Sequence, residues 1–460
     1  MKHLFFLGIA GHAMGGLALA SQQQGFIVSG LDETAGPPMS DWLDENSLNW
    51  TTKYSPELLK DVDTIVISGH HGKEDHPIIK EARERNLKIL SFAELFGQLT
   101  MGKKVIAVAG THGKTTTTSL IAWIIESAGL KPDYLIGVRP FNFKSSSRLE
   151  NAKIVVVEAD EYKASTLDDQ PKFNYYHPDT LILTSIEHDH PDAYPTMDSY
   201  LNAFKKLVGD LPKIGKMIVC ADDELALEVS KSSAAQVITY SLRSGNFTAK
   251  NIDFNEKGIS YQVIKNGESL GELTASVYGK HNVANSLAAV AATLNEGLSF
   301  DQIKRGAATF KGAFRRFNIL VNDKITVIDD YAHHPTEVKT TIEAAKLHFS
   351  GRRLIVIYRP HTYSRTQTLL KEYYQAFDGA DKLYMCDVEP ARELANQRTV
   401  SGQEIIDGLP DDLKNNSVFV PDRSDLVTQV VENSEPGDVI LSMTVSGYDD
   451  VANELASKVR

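Results

Sequence analysis

Short runs of β-branched and other apolar residues recur along the chain, each followed by a glycine-bearing turn and a stretch with helical spacing. HLFFLGIAG (3–11) is the first, and the following MGGLALASQQQ reads as a helix. DTIVIS (63–68) and LKILSF (87–92) continue the alternation. Runs that are apolar throughout suit parallel strands buried on both faces. The pattern restarts at KKVIAVAG (103–110) after the hinge-like GQLTMGKK, and KIVVVEAD (153–160) and TLILTSIEHDH (180–190) have the same character. From about 236 to 275 the chain is more polar and alternates (TYSLRSG, GISYQV), which predicts antiparallel strands. A third series opens with KITVIDDYAHH after KGAFRRFN (311–318), passes through RRLIVIYRPH (352–361) and DKLYMCDV (381–388), and ends at DVILSM (438–443). Three such series predict three α/β domains, bounded near 1–102, 103–312 and 313–460. A chain of 460 residues is also too long for one core.

Composition narrows the function classes. The chain is 42% hydrophobic and 23% charged, as an ordinary globular protein is. Its formal charge is −12, with no block of like charge, which argues against a general nucleic-acid surface. Any anionic ligand must therefore be held by local cations. Cys220 and Cys386 are far apart and lack metal-ligand spacing. No apolar run approaches the ~18 residues of a membrane span, and glycines break the N-terminal run too early for a signal peptide. The expectation is a cytoplasmic protein without membrane insertion, either monomer or homodimer.

The sharpest chemical signal is AVAGTHGKTTTTSL (107–120), an apolar strand running into glycines and then a helix. Backbone N–H groups in such a turn bind phosphate oxygens, and a lysine reaches the terminal phosphates. The eight-residue phosphate-loop pattern is not met, since Val108 stands at its first glycine. The shorter form Gly110-Thr111-His112-Gly113-Lys114-Thr115, with Thr116 behind it, is present, and Thr115 offers a hydroxyl to Mg²⁺. Two acidic strand ends follow, EADE (158–161) and EHDH (187–190). Ligands gather beyond the carboxyl ends of parallel strands, so Glu158 and His190 are candidate magnesium ligands beside Thr115. Histidine is the weaker of the two for a hard cation.

Other strings are less decided on their own. Gly8 to Gly16, with Asp32 at the end of the next strand, is a glycine-rich turn suited to a diphosphate. Its spacing is not that of a dinucleotide fingerprint, and a nicotinamide enzyme is thus a weak rival. YGKHNVAN (278–285) reads as a loop capping a helix, with a polar edge at His281 and Asn282 able to meet a base. FRRF (314–317) sets two guanidinium groups at a domain junction, either as surface charge or against a transferring phosphoryl group. DDYAHHPTE (329–337) and YRPHTYSRT (358–366) each follow a strand of the third series. The adjacent His333 and His334 point different ways and make a poor chelate. Pro335-Thr336-Glu337 resembles a helix start.

Taken together and in order, GTHGKT, EADE, EHDH, GKHN, FRRF, DDYAHHPTE and RPHTYSRT resemble the Mur ligase family over essentially the whole chain. The resemblance implies a Rossmann-like N-terminal UDP-sugar domain, a P-loop ATPase-like central domain and a Rossmann-like C-terminal domain for amino acid and nucleotide. It implies ATP and Mg²⁺, and an amide formed on UDP-N-acetylmuramate through an acyl phosphate. By the same resemblance Gly11, His12, Ala13, Met14, Gly15 and Asp32 serve the UDP-sugar, and Lys114 with Arg316 the γ-phosphate. His190 joins the metal or lies near the acyl phosphate, His281 and Asn282 contact adenine, and Asp330 meets ribose. His361 and Arg365 fix the acceptor carboxylate. DDYAHHPTE and PHTYSRT resemble members that add L-alanine. GHAMGG and the segment from EADEY to DHPDAY resemble members that attach the tripeptide L-Ala-γ-D-Glu-meso-diaminopimelate. Thr362 stands where an arginine is expected. L-alanine is the expected acceptor because the acceptor domain carries that likeness, with the tripeptide as the alternative. A nucleotide-binding regulator and a folate-type polyglutamate ligase are the remaining rivals.

Overall fold

The computed structural model describes residues 2–459 apart from 37–38, 69–71, 392, 394–397, 446–447 and 449. The chain divides into two compact units. The first comprises Met1–His188, Thr196–Phe247 and Leu287–Gly306, the second Asp189–Pro195, Thr248–Ser286 and Ala307–Arg460. It is an α/β protein built on mainly parallel sheets.

The first unit holds two of these sheets. One has the strand order Asn49–Thr51, Ile27–Leu31, His3–Leu7, Thr64–Ile67, Lys88–Ser91, all parallel. The apolar run of 3–7 is buried because its strand is central, and Phe5 and Leu7 pack with Ile65, Ile67 and Ile78. The chain leaves that strand with neighbours to either side, which is where an open sheet forms a crevice. Within the first unit the second sheet runs Gln236–Ser241, Lys216–Cys220, Thr180–Leu183, Lys104–Ala109, Ile154–Glu158, Asp133–Leu135, Ser147–Arg148, parallel except for the last pair. Here the chain builds first on one side of Lys104–Ala109 and then, from Thr180–Leu183, on the other, so its carboxyl end is again the switch point. The helix His12–Gln23 meets the strand Ser147–Arg148, and a Cβ on Gly16 would lie 2.0 Å from Ser147 Oγ. Only glycine permits that approach.

One expectation is corrected. Gln236–Ser241 was expected among the antiparallel strands, yet it pairs parallel with Lys216–Cys220. The helix Glu224–Ser230 lies between them, and a crossover through a helix returns the chain parallel. Its polar alternation reflects exposure of its first half rather than antiparallel pairing. The antiparallel reading holds for Gly258–Lys265 and Glu268–Ala275.

In the second unit a sheet runs Asn318–Asn322, Thr326–Asp330, Val439–Met443, Leu354–Tyr358, Lys382–Met385, Ser417–Phe419, with only the first pair antiparallel. Alternate residues enter two cores: Ile328, Val356, Leu383 and Leu441 on one face, Val327, Ile355, Tyr384 and Ile440 on the other. Two covered faces explain why these strands read as continuous apolar runs. The expected helix start is present at Pro335–His348. The His334 ring accepts from Thr336 N–H at 3.3 Å, and Glu337 completes the reciprocal cap. Cys220 and Cys386 are both buried, and burial pushes their thiols up to about 11 and about 12. Among the described residues no helix is long and apolar enough to cross a membrane.

Candidate active site

The turn after Lys104–Ala109 is built by two glycines with positive φ, Gly110 at 123° and Gly113 at 83°. A Cβ on Gly110 would lie 2.2 Å from Thr184 Oγ1, so the backbone passes close to the neighbouring strand end. Gly113 caps the helix Lys114–Ser127, whose first-turn N–H groups and dipole favour an anion. Lys114 Nζ donates to the carbonyls of Gly110 and Thr111 at 2.6 and 3.0 Å and pairs with Glu161 at 2.9 Å. Burial opposes the ammonium charge, but Glu161 and Asp160 outweigh it and raise the lysine pKa. A charged lysine is thereby held at the loop. Thr116 is half-buried in the same helical turn.

Beside it, Thr115 Oγ1 donates to Glu158 Oε1 at 2.9 Å, while Glu158 Oε2 accepts from Gly137 N–H at 2.8 Å. A hydroxyl and a carboxylate brought together at the head of a phosphate-type loop are the oxygen donors that a hard divalent cation prefers. The residues fit magnesium. Thr111 and His112 lock the loop from the other side. Thr111 Oγ1 donates to Glu187 O at 2.9 Å, and His112 Nε2 lies 2.8 Å from Glu187 Oε2. Tyr200, fully buried, donates to Glu161 at 3.2 Å and lies 3.0 Å from Thr111 Oγ1. It joins the loop to the carboxylate that pairs with Lys114. No spacing rule points to Tyr200, 89 residues from Thr111. Tyr200→Phe should lower the unfolding free energy by about 1–2 kcal/mol, measured by urea titration, since the hydroxyl's buried partners lose their bond. An unchanged midpoint would remove Tyr200 from the network.

At the switch point of the first sheet, Gly11 caps the helix His12–Gln23, which carries Ala13, Met14 and Gly15; the His12 side chain lies outside the described residues. Asp32 is buried and accepts from Ala10 N–H at 3.0 Å and from Thr34 N–H and Oγ1 at 3.1 and 3.0 Å. It shapes the turn. A cleft of about 330 Å³ opens here, lined by Leu7, Leu31, Asp32, Thr34, Lys73 and His76. Lys73 supplies a local cation that no motif announced.

The second unit gathers the remaining candidates. Arg365, 3% exposed, donates from Nε and Nη2 to Asp189 at 2.9 and 2.8 Å, and its Nη1 lies 3.0 Å from His361 Nδ1. Burial alone would push the Asp189 carboxyl up, but Arg365, with His190, His333 and His334, holds it well below the usual carboxylate range. Burial lowers His333 to about 4, so its ring is neutral at pH 7. His190, at φ 55°, belongs with this cluster: its N–H donates to Asp189 Oδ1 at 2.7 Å. The structure thus joins Thr115 to Glu158, and groups His190 with Asp189 and Arg365. Thr362, in place of an arginine, caps the short helix Tyr363–Thr368 by accepting Arg365 N–H at 3.4 Å.

The two arginines of FRRF separate clearly. Arg315 is buried, pairs with Asp329 at 3.3 Å and donates to Thr444 O at 2.6 Å. Arg316 Nε is buried with no hydrogen-bond partner, and the guanidinium carbon lies 5.8 Å from the centre of the Tyr331 ring. Asp330 accepts from Phe317 and Ala332 N–H at 2.6 and 2.7 Å; burial pushes it up to about 6 against the charge of Arg316. His281 and Asn282 are not in a loop before a helix, as expected, but in the first turn of Lys280–Asn295. Gly279, at φ 88°, makes the turn that lets the helix begin there. The Asn282 amide donates to Tyr278 O at 2.8 Å and accepts from Asn285.

Residues 3–104 match the family model for the Mur ligase family catalytic domain, 108–293 the Mur ligase middle domain, and 315–444 the Mur ligase glutamate ligase domain. The UDP-N-acetylmuramate–L-alanine ligase of Clostridium acetobutylicum is 38% identical over 395 residues, 85% of this chain and 84% of that one. The solved UDP-N-acetylmuramate-alanine ligase of Thermotoga maritima has a TM-score of 0.79 at 24% identity, covering 100% and 99% of the two chains. A murein peptide ligase of Psychrobacter arcticus has a TM-score of 0.72 at 28% identity, covering 100% and 99%.

Proposed function

Because this chain belongs to the Mur ligase family, we propose that it joins L-alanine to UDP-N-acetylmuramate with ATP, a step of peptidoglycan precursor synthesis in the cytoplasm. One observation carries this reading. Lys114, Thr115 and Glu158 converge at the switch point of one sheet, in a chain 38% identical to an L-alanine-adding ligase. When bound, ATP supplies the phosphoryl group that turns the muramoyl carboxylate into an acyl phosphate, from which the amine of L-alanine expels phosphate.

The chain's own part is charge and position. Lys114 and the loop amides of Gly110 to Thr116 neutralise the phosphates, and Thr115 and Glu158 would hold magnesium. Arg316, whose Nε has no hydrogen-bond partner, meets the charge that develops on the transferring group. The Gly11 turn and Lys73 take the UDP diphosphate, His281 and Asn282 the adenine. Asp330, its carboxylate already shaping the FRRF turn, meets the ribose. His361 and Arg365, the latter held by Asp189, face the acceptor carboxylate. His190, beside that pair, serves near the acyl phosphate.

A second reading, attachment of the tripeptide, is favoured by the 28% identity to the murein peptide ligase. The two are separated by kcat/KM for L-alanine, glycine, L-serine and the tripeptide at saturating ATP and UDP-sugar. L-alanine should exceed glycine by roughly 10–200-fold, the usual worth of one methylene. Tripeptide turnover above that with L-alanine would make this a recycling ligase.

A further inference from the structure

His348 lies outside every motif of the family resemblance, yet it is 4% exposed and has both ring nitrogens bonded to backbone. Gly279 N–H lies 3.0 Å from Nε2 and Asn255 O lies 2.6 Å from Nδ1. An amide N–H only donates and a carbonyl only accepts. Nε2 must therefore be bare and Nδ1 must carry the proton, so the geometry admits only the neutral ring in one tautomer. The ring closes an aromatic cluster: Tyr278 packs edge-on at 4.9 Å, Phe254 at 5.5 Å, and Tyr278 stacks on Phe317 at 4.7 Å. Gly279 is the turn from which the helix Lys280–Asn295 starts, and Asn282 N–H donates to Gly279 O at 3.1 Å. The imidazole thus holds the residue that sets where His281 and Asn282 stand. It does so from the last residue of Pro335–His348, the helix that begins in DDYAHHPTE.

We propose that His348 is a positioning residue for the nucleotide, its neutral ring accepting Gly279 N–H so that the turn presents His281 and Asn282. The proposal rests on the reading that this turn binds ATP. Burial lowers the His348 pKa, while Asn255 O and Asp253 oppose the shift, so protonation occurs only below the ordinary histidine range near 6.5. Protonation would replace the acceptor with a second donor facing an N–H. The titratable and charged groups near the ring and its turn are Asp253 and Glu256 from the strand side, Tyr278 from the turn, and His281 beyond Gly279.

The test compares His348→Phe, which removes both bonds, with His348→Gln, which keeps an acceptor and cannot titrate. His348→Phe should raise the KM for ATP roughly tenfold, with kcat within about twofold, as for loss of one buried hydrogen bond. His348→Gln should return it to within about threefold. It should also abolish the rise in KM expected of the wild type as pH falls below the ordinary histidine range. Asn282→Ala is the control for the underlying reading. If it leaves the KM for ATP unchanged, the turn does not bind the nucleotide and both ideas fall. If Asn282→Ala raises KM while His348→Phe does not, or if the pH dependence survives in His348→Gln, the role of His348 alone is overturned. Should His348→Phe fail to fold, judged by its thermal midpoint, the pH profile of His348→Gln decides.

Discussion

Lys114→Ala should reduce ATP turnover by at least ~10³-fold, because transition-state charge then loses its one lysine within the loop. The structure sharpens what else should change. Lys114 is bound to Gly110 O, Thr111 O and Glu161, so its removal leaves a buried carboxylate beside the loop without its cation. Glu161 is 1% exposed, and an unpaired charge there is costly. Lys114→Ala should therefore lose stability as well as activity. Lys114→Ala with Glu161→Gln should regain stability and remain inactive. Binding of UDP-N-acetylmuramate, measured by calorimetry, should survive in both. Turnover above a tenth of wild type would remove Lys114 from the mechanism.

The second large effect is at Arg365. Arg365→Ala leaves Asp189 buried with its strongest cationic partner gone and only His190, His333 and His334 beside it, and breaking one side of such a pair usually costs about 3–5 kcal/mol. In the wild type the depressed pKa of Asp189 contributes stability above the ordinary carboxylate value of about 3.9, lost as pH falls through the folded value. In Arg365→Ala burial is no longer opposed by the guanidinium, so the folded carboxyl pKa rises. The variant should then be weakest at neutral pH and recover part of its deficit on acidification towards 5. Replacing both partners, Asp189→Leu with Arg365→Met, should restore most of the stability without restoring use of the acceptor. Denaturant titrations at pH 7 and 5 check this. A variant deficit independent of pH would mean that Asp189 finds another partner.

The elements were legible in the sequence because parallel strands covered on both faces are written as unbroken apolar runs. The phosphate loop was legible because its residues are consecutive. Convergence was not. Asp189 and Arg365 are 176 residues apart and Lys114 and Glu161 are 47, and no periodicity joins them. Glu161 and Asp189 lie inside EADE and EHDH, but only side-chain direction shows which acid faces which cation. Nor could FRRF say that Arg315 turns inward to Asp329 while Arg316 Nε stays unpartnered. The misread strand Gln236–Ser241 shows the opposite failure, where a polar alternation produced by exposure imitates antiparallel pairing.

The two deeply seated thiols have a practical side. With Cys220 and Cys386 both buried and burial pushing their pKa values up to about 11 and about 12, almost no thiolate exists at pH 7, and dyes that react with thiolate should pass them by. A cysteine placed at Met101 or Ile214, which are 76% and 90% exposed, would then be the single labelled position in an otherwise natural chain. Fluorescence from such a label could follow binding at the cleft and at the loop without first stripping the protein of its own sulfur.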